Sequence, residues 1–339
     1  MSFKRLDTED ISISAESVVA PAWSNQETTL TSFYTSSNQT GTGTGNYYYE
    51  IYQTTDTDVA ASVQFSVAYG NYLGSGSTVI SSVSSSTPSS VNYGQYRTLV
   101  NGDENTNFTF GTAVPKSIFI ISVNRSKYKE KLLPGSFNLT LSGSGLASLK
   151  LTDNSKSITT VSYVDAGRVY DIVSGSDGVA FTGVNSTGVT PGSGSYGKFL
   201  PDVGTIILNG DALKGPVADK GLGMSISEGF NVSPSINLNL IYNAIAKGKN
   251  FKLQSEETIS SNYIFVRIRN SEFNYSTNPS NISGSGELRW NIMINTPQAY
   301  LTTIGLYNDN NDLLGVAKLS KPLLKDFTKE ALVRIKLDY

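Results

Sequence analysis

The last nine residues constrain the fold most. From Ala331 to Tyr339 the apolar side chains Ala331, Val333, Ile335, Leu337 and Tyr339 alternate with Arg334, Lys336 and Asp338, and only Leu332 breaks the rule. A period of two sends successive side chains to opposite faces, so the stretch reads as a strand buried on one side. At ~1.5–3 kcal/mol for each large apolar side chain buried, it is a main fold element and not a frayed tail. Just upstream, Tyr300–Tyr307 and Leu313–Leu319 are apolar and β-prone. Asn308–Asp312 between them has side chains that tolerate a left-handed turn. Pro322 is expected to stop the second strand, giving three strands in a row.

The same patterning recurs along the chain. Strands are predicted at Ile11–Ala20, Leu30–Tyr34, Tyr47–Tyr52, Val63–Gly70, Thr106–Phe110, Ser117–Val123, Phe199–Leu208, Tyr263–Arg269 and Leu288–Ile294. Phe137–Leu141 and Leu146–Leu151 make a hairpin around Gly143 and Gly145. Ser117–Val123 is apolar on both faces and reads as a central strand. Gly74–Ser90, Ala166–Tyr196 and Ser271–Gly286 read as long polar or glycine-rich loops. One helix is predicted at Ser233–Gly248, with Ser233 as N-cap, Pro234 in the first turn and Ile236, Leu240, Ile241, Ala244 and Ile245 at helical spacing. The expected fold is α+β and mainly β, with antiparallel sheets or sandwich-like regions and one short helix near 233–248. The expected division is an N-terminal β domain at 1–150, a Gly/Ser-rich segment at 151–200 and a C-terminal β domain at 201–339.

Composition closes off most chemistry. Without histidine or cysteine there is no Ser-His-Asp triad, imidazole shuttle, thiolate nucleophile or disulfide, and no zinc site of the usual kind. The carboxylates offer little. Asp7, Glu9 and Asp10 read as a solvated turn before a strand, and Glu256 and Glu257, adjacent on a strand, point to opposite faces. Asp309 and Asp312 lack the glycine and distal glutamate of a calcium loop. Thr40–Asn46 (TGTGTGN) is glycine-rich, but a strand follows it where a phosphate cradle needs a helix. No catalytic, cofactor-binding or metal residue is therefore assigned, and no enzyme activity is expected. Charged residues are 16% of the chain and the net charge is −2, which gives no basic field for nucleic acid. Asn124–Lys131 is the one basic cluster, with Arg125, Lys127, Lys129 and Lys131 two apart, as on one face of an edge strand. No run reaches the ~18 apolar residues of a membrane span, and the basic N-terminus precedes no apolar segment, so folding in a cytosol is expected.

Four stretches carry a family resemblance: Glu287–Tyr339 (ELRWNIMINTPQAYL and onward), Leu6–Trp23 (LDTEDISISAESVVAPAW), Ser122–Gly143 (SVNRSKYKEKLLPGSFNLTLSG) and Tyr196–Leu213 (YGKFLPDVGTIILNGDAL). The chain resembles virion structural proteins of large contractile-tailed bacteriophages, notably those infecting cyanobacteria. The resemblance implies a part of the particle, on the tail side in the baseplate or neck. It also implies assembly with copies of itself and other virion proteins, as a homo-oligomer or a ring within a larger assembly. A tail fibre or adhesin-type module that binds the host surface is the other class, since tyrosine-rich, Ser/Gly-rich loops suit recognition.

Overall fold

The computed structural model describes residues 3–35, 48–72, 88–143, 148–181, 195–216, 221–228, 234–276 and 278–338. In chain order the elements begin with β1 (Ile11–Pro21), β2 (Thr29–Leu30), β3 (Tyr34–Thr35), β4 (Tyr48–Tyr52), β5 (Val63–Asn71), α1 (Pro88–Asn101) and β6 (Ser117–Val123). β7 (Lys131–Leu132), β8 (Asn138–Ser142), β9 (Ser148–Asp153), β10 (Ser162–Val164), β11 (Gly167–Ser176), β12 (Val179–Ala180), β13 (Gly197–Leu200) and β14 (Thr205–Asn209) follow. The chain ends with α2 (Gly210–Lys214), α3 (Pro234–Gly248), β15 (Phe251–Lys252), β16 (Gln254–Ile268), α4 (Asn291–Asn295), β17 (Gln298–Tyr307), β18 (Leu313–Asp326) and β19 (Ala331–Asp338). The protein is mainly β in an α+β fold, with α3 where the sequence places a helix and three further helices that it does not.

Two compact units divide the chain: a large one, Val18–Glu257, and a small one, Met1–Ser17 with Thr258–Tyr339. The expected boundaries near 150 and 200 do not separate these units. Strands β9, β11 and β13, drawn from the supposed intermediate segment and its flanks, lie mid-way along the large unit's sheet.

That sheet runs β2-β15-β8-β9-β11-β13-β14-β6-β5-β4-β3, with β10 and β12 paired to β11. Its two end strands are separated in sequence only by Thr31, Ser32 and Phe33, so the sheet must curl until its ends meet. The side chains show the closure. Phe65 on β5 and Phe251 on β15 are seven strands apart along the sheet, yet their ring centroids lie 5.1 Å apart. Trp23 packs against both rings, and its indole N–H donates to the Phe251 carbonyl at 2.8 Å. Period-two alternation then sorts the strands. Phe119, Ile121, Phe65, Val67, Ile206 and Phe199 point into the main core, while Ile118, Ile120, Ala68, Ile207 and Leu200 form a second cluster on the outer face.

The two long helices each cover one of these clusters. α3 sends Leu238, Ile241, Ala244 and Ile245 into the main core and packs against β8 as well as β4 and β5. Tyr49 on β4 donates to Asn239 of α3 at 3.2 Å, and Tyr242 of α3 donates to the Phe33 carbonyl at 3.0 Å. α1 covers the outer cluster with Tyr93 and Val100 and packs on β5.

Several expectations fail for identifiable reasons. The predicted Gly-rich loop Ala166–Tyr196 contains β11, a ten-residue strand paired to β9 and β13, while 182–194 lie outside the described residues. At Gly175 and Gly197 an added Cβ would lie 2.2 Å and 2.1 Å from the neighbouring carbonyl oxygens of Val179 and Ile207, so these glycines serve close packing inside the sheet. Phe199–Leu208 is two strands, β13 and β14, turned at Pro201–Gly204, with Gly204 at a φ of +64°. Thr106–Phe110 makes only an isolated bridge, Phe110 to Ala113, although Phe108 and Phe110 are buried. Leu30–Tyr34 divides between β2 and β3 at opposite ends of the sheet path. Leu288–Ile294 forms the short helix α4 instead of a strand, and its Ile292 and Ile294, like Trp290 before it, are exposed, so no packing enforces the extended form. Ser89 and Ser90, expected in a loop, lie in α1; Thr40–Asn46, 73–87 and the cap Ser233 lie outside the described residues.

Candidate assembly surface

The small unit is a two-layer β structure. In one layer β16 lies between β1 and β19, and β16 pairs antiparallel with β19 from Ser261↔Asp338 to Ile268↔Ala331. The hairpin β17–β18 is the other layer. The alternation of β19 holds from Ala331 to Lys336: Ile335 is buried opposite Ile264, Val333 is half-buried opposite Val266, and Arg334 and Lys336 are exposed. Leu337, expected on the buried face, is exposed, and Tyr339 lies outside the described residues. The three C-terminal strands are not one meander, because β19 pairs with β16 and not with β18. Nor does Pro322 end β18, which continues to Asp326. The register slips between Thr303↔Lys318 and Leu301↔Leu323, so Pro322 falls in a bulge where no ladder N–H is needed.

Burial in this unit is inverted. Among its described apolar residues only Ile264, Ile268, Leu306 and Ile335 are buried. Leu314 is 69% exposed, Ile13 72%, Ile292 68% and Tyr300 65%. A core this small gives little stability by itself, and the exposed apolar surface is large for so small a unit. Outside the core, one polar clip closes the unit. The Lys325 ammonium is fully buried and donates to the Asn270 carbonyl (2.9 Å), Asn274 Oδ1 (2.7 Å) and the Asp326 carbonyl (2.8 Å).

The edges of the β1-β16-β19 layer differ in charge. Ile11–Ser17 is exposed throughout, its only charge is Glu16, and Asp7, Glu9 and Asp10 precede it in a solvated turn. The Asp7 N–H donates to Asp10 at 3.1 Å, so this trio is a helical cap and not an open metal cluster. On β19, Arg334 and Lys336 both lie over the Tyr263 ring, at 5.5 and 5.9 Å. Asp338, 3.1 Å from Lys336, holds the ammonium above its ordinary pKa, with smaller contributions from Tyr263 and Glu16.

The large unit carries a polar groove of about 430 Å³ on its outer face. Register places Glu50, Ser66 and Ser122 side by side across β4, β5 and β6 as its floor. Tyr48 and Tyr128 stand at its walls, and Arg125 stacks on Tyr128 at 4.6 Å while donating to that residue's carbonyl at 2.5 Å. Tyr52 donates to Glu50 at 2.8 Å, and its phenol is pushed up to about 12 by burial and then by this carboxylate. One carboxylate, one guanidinium, hydroxyls and an aromatic face suit a neutral polyhydroxylated ligand.

The basic cluster does not form a strand face. Arg125–Lys127 is a 3-10 turn capped by Asn124, and only Lys131 enters a strand, so the alternate spacing has no common surface. Lys127 reaches Ser62, Lys129 pairs with Glu257 at 2.5 Å, and Lys131 lies 3.9 Å from Glu256. Glu256 and Glu257 are thus salt-bridge partners. Asp309 and Asp312 sit in the β17–β18 turn, where Asn308 Oδ1 accepts from the Asp312 N–H at 2.7 Å and Asn311 has a φ of 63°. Among the described residues no three or more acidic side chains gather as a metal site, and no helix is long and apolar enough to cross a membrane.

Comparison with protein-family models, with curated proteins and with solved structures finds no match to this chain.

Proposed function

We propose that the protein is a structural component of a contractile-tailed phage particle, in the baseplate or neck region of the tail, and that the small unit is its assembly surface. The observation that carries the assembly role is the inverted burial of that unit: four buried apolar side chains beneath exposed Leu314, Val316, Tyr300, Ile292 and Ile13. The well-filled, closed sheet of the large unit suits a part whose work is to hold shape. The particle itself is proposed from the resemblance of Glu287–Tyr339 and the three upstream stretches. Mass spectrometry of purified particles tests the reading: the protein should be present in several copies per tail, and Leu314→Glu with Val316→Glu should lower its incorporation. Its absence from purified particles would refute it.

A second reading is a fibre or adhesin-type module that contacts the host surface, and it draws on the polar groove with Tyr48, Glu50 and Arg125. Saccharide binding that is lost in Tyr48→Ala would favour it.

A further inference from the structure

We propose that β1 of one copy adds to β19 of the next, so that the β1-β16-β19 layer runs on from subunit to subunit. The inference rests on the assembly role above and names its partner as a second copy of this chain.

Among the described residues, the small unit has four strands with one unpaired edge each: β1, β19, β17 and β18. Exposed edges invite pairing, and proteins usually guard them with lysines, prolines or bulges. β18 is guarded in this way by Lys318, Lys321 and the bulge at Pro322. β17 has the chain's own N-terminal segment against it, with the Phe3 ring 5.2 Å from that of Tyr307. The Ile11–Ser17 part of β1 has neither lysine, arginine nor proline, and all seven residues are exposed.

Charge then selects the occupant. Two β1 edges together would bring Glu16 and the preceding Asp7, Glu9 and Asp10 near their own copies. Two β19 edges would oppose Arg334 and Lys336 to themselves. Of these pairings, β1 against β19 sets an edge whose charge is negative against one where Arg334 and Lys336 outnumber Asp338, and like charges across a strand pair are unfavourable. The layer is already arranged for such a repeat. Lys336 is the register partner of Tyr263, and Glu16, from the strand on the other side of β16, lies within electrostatic reach of Lys336. Tyr263 and Lys336 thus share a row across β16 and β19, while Glu16 lies on β1 at the far side of β16, so the layer has an anion on one edge strand and cations on the other. Stacked head to tail, each Lys336 meets the next copy's Glu16. Exposed Ile13, Leu332 and Leu337 lie on the two edges that would be covered. Because the contact joins two different surfaces, it builds a ring or an open filament and not a closed dimer.

Sedimentation of the full chain over a concentration series tests this. The unaltered protein should self-associate, more weakly at high salt. Glu16→Lys and Lys336→Glu should each weaken association by about an order of magnitude or more. The two changes in one chain should restore it, and an equal mixture of the two single variants should co-assemble. Circular dichroism and melting of each variant report whether it folds. Should either charge reversal unfold the chain, Glu16→Gln and Lys336→Gln take its place, each weakening association, with no rescue when combined. An unaltered chain that stays monomeric at every concentration, or a double reversal as weak as the singles, would overturn the pairing. A monomeric chain that still enters particles would remove this contact and leave the structural role standing.

Discussion

Two buried polar groups show how individual residues decide local structure. Tyr93 lies on the buried face of α1, and its hydroxyl accepts the Phe108 N–H at 3.0 Å. Tyr93→Phe keeps the ring but strands that donor, so urea unfolding should show a loss of about 1–3 kcal/mol. Asp153 is fully buried at the end of β9 and accepts from the Gly135 and Ser155 N–H groups at 2.9–3.0 Å. Burial pushes its carboxyl above the ordinary value of 3.8, with the hydrogen bonds from Ser155 and Gly135 pulling the other way. A raised folded pKa means the folded chain holds this proton more tightly than the unfolded one. Its contribution is complete below the ordinary value and is lost as pH rises through the folded value. Asp153→Asn cannot ionise. The stability of the natural protein relative to this variant should therefore fall as pH is raised from below the ordinary carboxylate value to above it, measured by denaturant titration at each pH. Such roles are not legible in the sequence, because nothing near Asp153 announces that it will be enclosed and nothing near Tyr93 announces that its hydroxyl will meet the Phe108 N–H.

At the scale of elements, legibility follows locality. β19, β6 and α3 are readable because their own spacing reports the surfaces they bury. α1 is harder, since Ser, Asn, Gly and Thr fill much of Pro88–Asn101. Its signal is the spacing of Tyr93, Tyr96 and Val100, which all face the outer cluster. β11 and β13 are hidden by their glycines, which look like loop residues until Gly175 of β11 and Gly197 of β13 are seen against neighbouring backbone. Gly248 shows the same double meaning. It reads as the end of α3, and it is also where that helix meets β8, since an added Cβ would lie 1.8 Å from the Thr140 carbonyl oxygen. Gly248→Ala should push the helix end off the strand and cost about 1–3 kcal/mol, despite alanine's better helix propensity. A melting temperature equal to or above that of the natural protein would show that the contact yields.

For the whole molecule, the sheet closure and the proposed assembly surface both escape a sequence reading, for opposite reasons. Closure joins residues far apart in the chain, such as Phe65 and Phe251, and no local pattern encodes it. The assembly surface is encoded by the same apolar alternation as a core strand, so Leu314 and Ile335 look alike until one is found exposed and the other buried. This contrast sets an expectation for stability. The large unit buries an extensive core from Trp23 to Leu253, whereas the small unit buries four apolar side chains among its described residues. Cooperative units with such unequal cores need not melt together. Calorimetry of dilute, unassembled protein should show a weak transition at lower temperature and a larger one above it. Ile335→Asp places a charge opposite Ile264 in the small core and should abolish the first transition while leaving the second in place. Hydrogen exchange provides the assignment, with protection lost in β16–β19 pairs such as Val266↔Val333 and retained in β6 and β14. Under assembling conditions the lower transition of the natural protein should move upward, because a partner that binds only the folded unit stabilises it by mass action. A single transition that Ile335→Asp shifts as a whole would mean that the two units unfold as one, and that the small unit does not depend on partners for its order.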